Sequence, residues 1–193
     1  MQTNREKENG DLIRLLDLDE EFIIELVYAT PDNFTGQPVY ASSECYINRN
    51  TARLLIEAKN IFKRDGYRVK VWDAYRPISA QIKFWNLCPD TVFVGRPPDL
   101  SKISEFIPKH LNGLCVDITL VDMDGMDLEM PSAFDDFSER AFLSAAEPES
   151  PGRKNGEYLK AVMESVGFRA YENEWWHFYD VITEPGPYLD IQI

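Results

Sequence analysis

The stretch His110-Leu111-Asn112-Gly113-Leu114-Cys115-Val116-Asp117 constrains this chain more than any other. It joins a histidine, across a glycine turn, to an aspartate inside an apolar run. Val116, Ile118 and Leu120 alternate with Asp117 and Thr119, so the segment reads as a strand whose two faces differ. An aspartate in so apolar a strand needs a partner, because a buried charge without one is costly. The chain has only two histidines, and the second, His177, closes Glu174-Trp175-Trp176-His177 far along the sequence. A fold that brings these segments together makes a His110/Asp117/His177 donor set with Glu174 beside it. Zinc takes such nitrogen and oxygen ligands, and three protein ligands leave a position for water. The plainer alternative pairs Asp117 with an arginine and leaves His110 on a surface loop.

Glu174 supplies the base that a hydrolytic zinc site needs. Its spacing to His177 is awkward, since strand residues three apart point to opposite faces. The sequence therefore predicts a bend or strand end between them. Read alone, Glu174-Trp175-Trp176-His177 is more simply a solvated acid beside core or rim aromatics. A third piece is Trp72-Asp73-Ala74-Tyr75-Arg76-Pro77. Arg76 sits where a strand ends at a proline. Its guanidinium suits an oxyanion or a carboxylate, or else a structural ion pair with Asp73.

The rest of the chain frames these pieces. With 193 residues there is enough for one core and too little for two comfortable ones. Residues 1–10 are polar and read as a frayed tail, leaving 11–193 as a single domain. A strand is expected near Phe22–Tyr28, then a structured loop to Tyr40. A helix capped by Asn50 or Thr51 follows, with Leu54, Leu55, Ala58, Ile61 and Phe62 at helical spacing and Gly66 as its stop. Tyr67–Asp73 alternates as a strand. Ser79–Leu87 reads as a short helix with Ile82, Trp85 and Phe84 inward. Cys88–Pro108 reads as a long loop beside the site. Asp124-Gly125 suits a hairpin with Leu128–Met130 returning, and Phe134–Arg153 reads as acidic loop with some helix. A helix over Tyr158–Val166, with Leu159, Val162, Met163 and Val166 inward, and a final hairpin of Phe168–Ala170 and Trp175–Tyr179 complete the pattern. The expected class is α+β: an antiparallel sheet with packed helices and the metal site at the sheet face.

The net charge of −13 argues against nucleic acid and against an anionic membrane surface as partners. Neither a leader peptide nor a membrane span is visible. Three widely spaced cysteines, Cys45, Cys88 and Cys115, do not suggest a disulfide framework, so a cytoplasmic location is expected. Oligomeric state is not legible.

Taken together, the motifs resemble the D-alanyl-D-alanine dipeptidases of the vancomycin-resistance type, within the zinc D-Ala-D-Ala peptidases. The matching text is Tyr28–Tyr40, Trp72–Pro77, His110–Leu120, Phe134-Asp135, Gly167-Phe168 and Glu174–His177, in order over nearly the whole chain. The resemblance implies one zinc per chain on His110, Asp117 and His177. It implies Glu174 as general base and Arg76 at the oxyanion. Tyr28 and Asp135 match positions near the substrate's free amino group, where an acid selects a dipeptide over a longer chain. The family usually has Ser-x-His at the first ligand, and here Pro108-Lys109-His110 stands instead. Lys109 is then a candidate point charge for the substrate carboxylate. Cys115 replaces a common alanine and reads as a small buried hydrophobe on the metal strand. Two other readings stay open: a peptidoglycan D,D- or L,D-carboxypeptidase with the same site, and a non-catalytic zinc-binding module.

Overall fold

The computed structural model describes residues 11–98, 109–186 and 190–193. The expected tail at 1–10 and the last part of the Cys88–Pro108 loop lie outside these residues. Ten regular elements follow one another: β1 (Leu12–Arg14), β2 (Ile23–Ile24), β3 (Tyr46–Asn48), α1 (Arg49–Arg64), β4 (Tyr67–Asp73), α2 (Ile78–Leu87), β5 (Cys115–Asp122), α3 (Pro151–Ser165), β6 (Phe168–Tyr171) and β7 (Glu174–Asp180). Five strands form one sheet in the order β2-β4-β5-β7-β6, and β1 pairs with β3 apart from it. The α+β class holds. Antiparallel pairing runs from β4 to β6, and only the two-residue β2 joins in parallel, on β4.

One core sits under the sheet. Val69 and Val71 of β4 and Ile118 and Leu120 of β5 are fully buried, with Leu55 and Phe62 of α1 and Leu159 and Met163 of α3. Each such side chain contributes about 1.5–3 kcal/mol on burial. Helix α1 begins two residues earlier than the sequence suggests. Asn48 caps it, its side chain accepting from the Asn50 amide at 2.9 Å.

Several expectations are corrected. The strand expected over Phe22–Tyr28 is only Ile23–Ile24, and a 3-10 turn takes Val27–Ala29. That turn ends in a tight crossing in which the Val39 and Tyr40 amides both donate to the Tyr28 carbonyl. In α2, Phe84 is inward as expected, but Ile82 is exposed and Trp85 half-buried; Ile78 and Gln81 line up with Phe84 at i, i+3 spacing instead. The return strand after Asp124-Gly125 is a single bridge, Val121 to Asp127. The chain then leaves the sheet, and the Met130 backbone lies against Gly152, where an added Cβ would sit 2.7 Å from the Met130 carbonyl oxygen. Helix α3 starts at Pro151, with Ser150 as its cap, well before Tyr158. Its first half carries no apolar stripe, only a proline at the position helices favour.

The final hairpin contains the expected bend. Ala170 pairs with Phe178, but Tyr171 pairs with Glu174, so Trp175, Trp176 and His177 bulge out of register. Among the described residues no helix is long and apolar enough to cross a membrane.

Candidate metal centre and substrate pocket

Local sequence aims each polar side chain of the site. His110 lies in a 3-10 turn, Lys109–Asn112, that Gly113 ends with a φ of 74°. The His110 carbonyl accepts from the Arg76 and Gly113 amides, tying the turn to the end of β4. The His110 Nδ1 is 2.6 Å from the Ala74 carbonyl, which can only accept. The proton therefore sits on Nδ1 and leaves the Nε2 lone pair facing inward. Asp117 on β5 pairs in register with both Asp73 of β4 and His177 of β7.

Three donor atoms then converge. His177 Nδ1 lies 2.8 Å from Asp117 Oδ1, His110 Nε2 lies 3.2 Å from His177 Nδ1, and His110 Nε2 lies 3.5 Å from Asp117 Oδ1. Ligands about 2.0–2.1 Å from a tetrahedral zinc are separated by about 3.3 Å. The spacing, the inward-facing Nε2 of His110 and the mixed N/O donors all fit such an ion. Burial opposes ionisation of Asp117, but the two histidines overcome it and hold its pKa well below the usual carboxylate range. Burial also lowers the His177 pKa, which favours the neutral, ligating imidazole, against the pull of Asp117.

Asp73 is close enough to be a donor to the same centre, yet its lone pairs are committed. Oδ1 accepts from the Tyr40 hydroxyl and the Ala74 amide; Oδ2 accepts from Nε and Nη2 of Arg76. The ion pair weighed from the sequence is therefore real, and it holds Arg76 in place. Gln81 completes the clamp, accepting from Nη1 at 2.8 Å. These three bonds leave two of the five guanidinium N–H groups for another partner. The cation also lies over the rings of Phe84 and Tyr28, 4.9 and 5.5 Å from their centroids. Burial weakens a guanidinium, but Asp73 and the surrounding acidic groups raise the Arg76 pKa and keep it charged.

Glu174 is 8% exposed and its carboxylate makes no hydrogen bond among the described residues; its nearest ionic neighbour is His177 Nδ1 at 3.8 Å. Burial, then the charges of Asp117 and Asp135, raise its pKa well above the ordinary value. Asp135 adopts a φ of 56°, a conformation few non-glycine residues take. Both its oxygens receive the Tyr28 hydroxyl, at 3.0 and 3.1 Å. Burial raises the Asp135 pKa to about 7, against the lowering effect of that hydrogen bond.

The donor set, Arg76 with Gln81, Glu174 and the Tyr28–Asp135 pair line one cavity of about 430 Å³, with Asp73 behind it. Tyr28, Arg76, His110, Asp117, Asp135, Glu174 and His177, each named from the sequence, face it together. The side chain of Lys109 lies outside the described part of the structure. The sequence reading missed Gln81 and the aromatic wall of Phe34, Phe84, Phe93 and Phe137. Nothing in the local pattern marks these residues, because loops and one helix bring them together.

A model of the D-ala-D-ala dipeptidase family matches residues 9–191. The chain belongs to that family. It is a peptidase, as the resemblance implied. The D-alanyl-D-alanine dipeptidase of Escherichia coli K12 is 32% identical over 168 residues, covering 87% of this chain and 83% of that one. The enzyme of the same name from Enterococcus faecium is 34% identical over 183 residues, covering 86% and 90%. Among solved structures, a vancomycin-resistance D,D-pentapeptidase in complex with Zn(II) aligns at a TM-score of 0.46 and 16% identity, over 74% of this chain and 76% of that one. Within this D-Ala-D-Ala dipeptidase family member, then, the cavity pairs a convergent donor set with a tethered arginine, a buried glutamate and a tyrosine–aspartate pole.

Proposed function

We propose that the protein hydrolyses D-Ala-D-Ala, or a closely related dipeptide, to free amino acids, using one zinc ion held by His110, Asp117 and His177. The observation that carries this reading is the convergence of three donor atoms, 2.8–3.5 Å apart, beside a buried glutamate whose carboxylate makes no hydrogen bond among the described residues. Zinc, when bound there, supplies Lewis acidity to the scissile carbonyl and to water.

The protein's own groups do the rest. Glu174 takes the proton of the attacking water and passes it to the leaving amine. A carboxylate with raised proton affinity is a better base for this than a solvated one. Arg76 directs its two remaining N–H groups at the negative charge that develops on the substrate carbonyl oxygen. Its clamp to Asp73 and Gln81 means that little reorganisation is needed at that moment. Asp135, steadied by Tyr28, holds the substrate ammonium and so prefers a free dipeptide. Lys109 is assigned to the substrate carboxylate as a point charge. The same reading places the reaction in the cytoplasm, a compartment suited to three cysteines of which none is in a disulfide.

The test is D-alanine release from D-Ala-D-Ala by the purified protein, with and without a chelator, beside a panel of other dipeptides and a muropeptide stem. Chelator-sensitive release from D-Ala-D-Ala is expected. Activity confined to other dipeptides keeps the peptidase and changes its specificity. Preference for the muropeptide stem moves the reading to a carboxypeptidase. Metal-loaded protein inert on every peptide overturns it.

A further inference from the structure

Cys115 lies at the centre, and the proposed reaction does not use it. It stands two residues before Asp117 on β5, so the two side chains share a strand face. Their partners on β7 are Tyr179 and His177 respectively. The residue is 1% exposed and nevertheless lines the cavity. Its sulfur, one ring nitrogen of His110 and one of His177 all lie within 4.8 Å of one another. The thiol is therefore aimed at the two histidines that also face Asp117. The cavity also holds the Glu174 carboxylate, 3.8 Å from His177 Nδ1 and without a side-chain hydrogen bond among the described residues, which points to a cationic occupant of the same space.

We propose that Cys115 is a fourth protein donor to the metal in the substrate-free protein, completing a His₂/Asp/Cys set. This rests on the metal reading given above. Three considerations carry it. A zinc–sulfur bond of about 2.3 Å sets sulfur about 3.6 Å from nitrogen ligands, within reach of the observed separations by a small side-chain shift. Thiolate is a favoured zinc ligand, and a cysteine two residues from a carboxylate ligand shares its strand face. The thiol also lines the cavity, with a ring nitrogen of each histidine within 4.8 Å of its sulfur. On metal binding the thiol proton leaves to solvent and the sulfur binds as thiolate. The consequence is a resting site closed by four protein donors, whose ion is held more tightly than by three and which opens when substrate enters.

Cobalt(II) loading of the full chain tests this directly. Thiolate bound to cobalt gives a near-ultraviolet charge-transfer band, whereas nitrogen and oxygen donors give only the visible ligand-field bands. The wild type is expected to show both. Cys115→Ala is expected to keep the visible bands, lose the near-ultraviolet one, and bind zinc about tenfold or more weakly in a competition with a chelating dye. Visible bands without the near-ultraviolet band in the wild type would overturn the thiol as donor and leave the metal site standing. A near-ultraviolet band that survives Cys115→Ala would equally overturn it. Failure of the wild type to bind cobalt or zinc at all would remove the metal reading, and this inference with it.

Discussion

Asp73 and Arg76 form a bidentate-donor pair in which Nε and Nη2 both reach the same carboxylate oxygen, at 3.1 and 2.7 Å. The aspartate ends β4, is fully buried, and has no lone pair left for a metal or substrate. It acts through Arg76, by fixing the direction of a charge that faces the cavity. Asp73→Asn should lower kcat about 100-fold, the size of loss a misplacement of about 1 Å produces. KM and bound metal should change little. Equal loss of metal content would show that Asp73 serves the metal centre itself.

The Glu174 carboxylate has no hydrogen-bond partner among the described residues, so replacing it should leave the surrounding structure undisturbed. Glu174→Gln keeps the shape and removes the base. The expected result is a fall in kcat of about 10²–10⁴-fold, with metal stoichiometry unchanged by elemental analysis. Full activity with metal still bound would exclude Glu174 as the base.

The parts of the site legible in the sequence are those where chemistry and periodicity coincide. Asp117 is conspicuous because it interrupts a strict apolar alternation, and the second histidine is conspicuous because there is no third. Even the out-of-register bulge at Trp175–His177 follows from asking how Glu174 and His177 reach one place. Partnerships across the fold were less legible. Gln81 was hidden because a buried polar residue on a helix face looks like a surface residue until its partner Arg76 is known. The first half of α3 was hidden because Gly152 and Gly156 serve close contacts with Met130, Pro131 and Leu143, and carry no apolar stripe. The Leu128–Met130 segment has strand-like residues, but the chain turns away toward those same glycines after a single bridge.

The Tyr28–Asp135 pole predicts a pH effect with a definite sign. The substrate ammonium needs the ionised carboxylate. Burial raises the Asp135 pKa to about 7, so in the metal-free protein protonation removes that charge as pH falls through about 7. A bound cation nearby favours the ionised form and moves the transition lower. kcat/KM should therefore fall on the acid side, with its midpoint at or below about pH 7. Asp135→Asn should lower kcat/KM across the range and abolish that acid limb. It should also narrow the preference for free over N-acetylated dipeptide. A limb that persists unchanged in Asp135→Asn would assign it to another group.

Gly113 links the metal-site geometry to the stability of the fold. It holds a φ of 74° between His110 and Asp117. A Cβ added there would meet the Asn48 amide nitrogen and a Leu12 methyl, each at 2.7 Å. The Gly113 carbonyl also accepts from that same Asn48 amide, so the turn is pinned to the start of α1. Gly113→Ala must strain the backbone and push the turn from its seat on β3. At a compatible site glycine-to-alanine exchange stabilises by about 0.4–1 kcal/mol; at this positive φ it should instead destabilise, and by more than that. Because the displaced turn carries His110, metal affinity should drop as well. Urea unfolding of the metal-free protein measures the first effect, and dye competition for zinc measures the second. A variant that loses stability but binds zinc as tightly as the wild type would show that the His110 turn adjusts independently of its anchor.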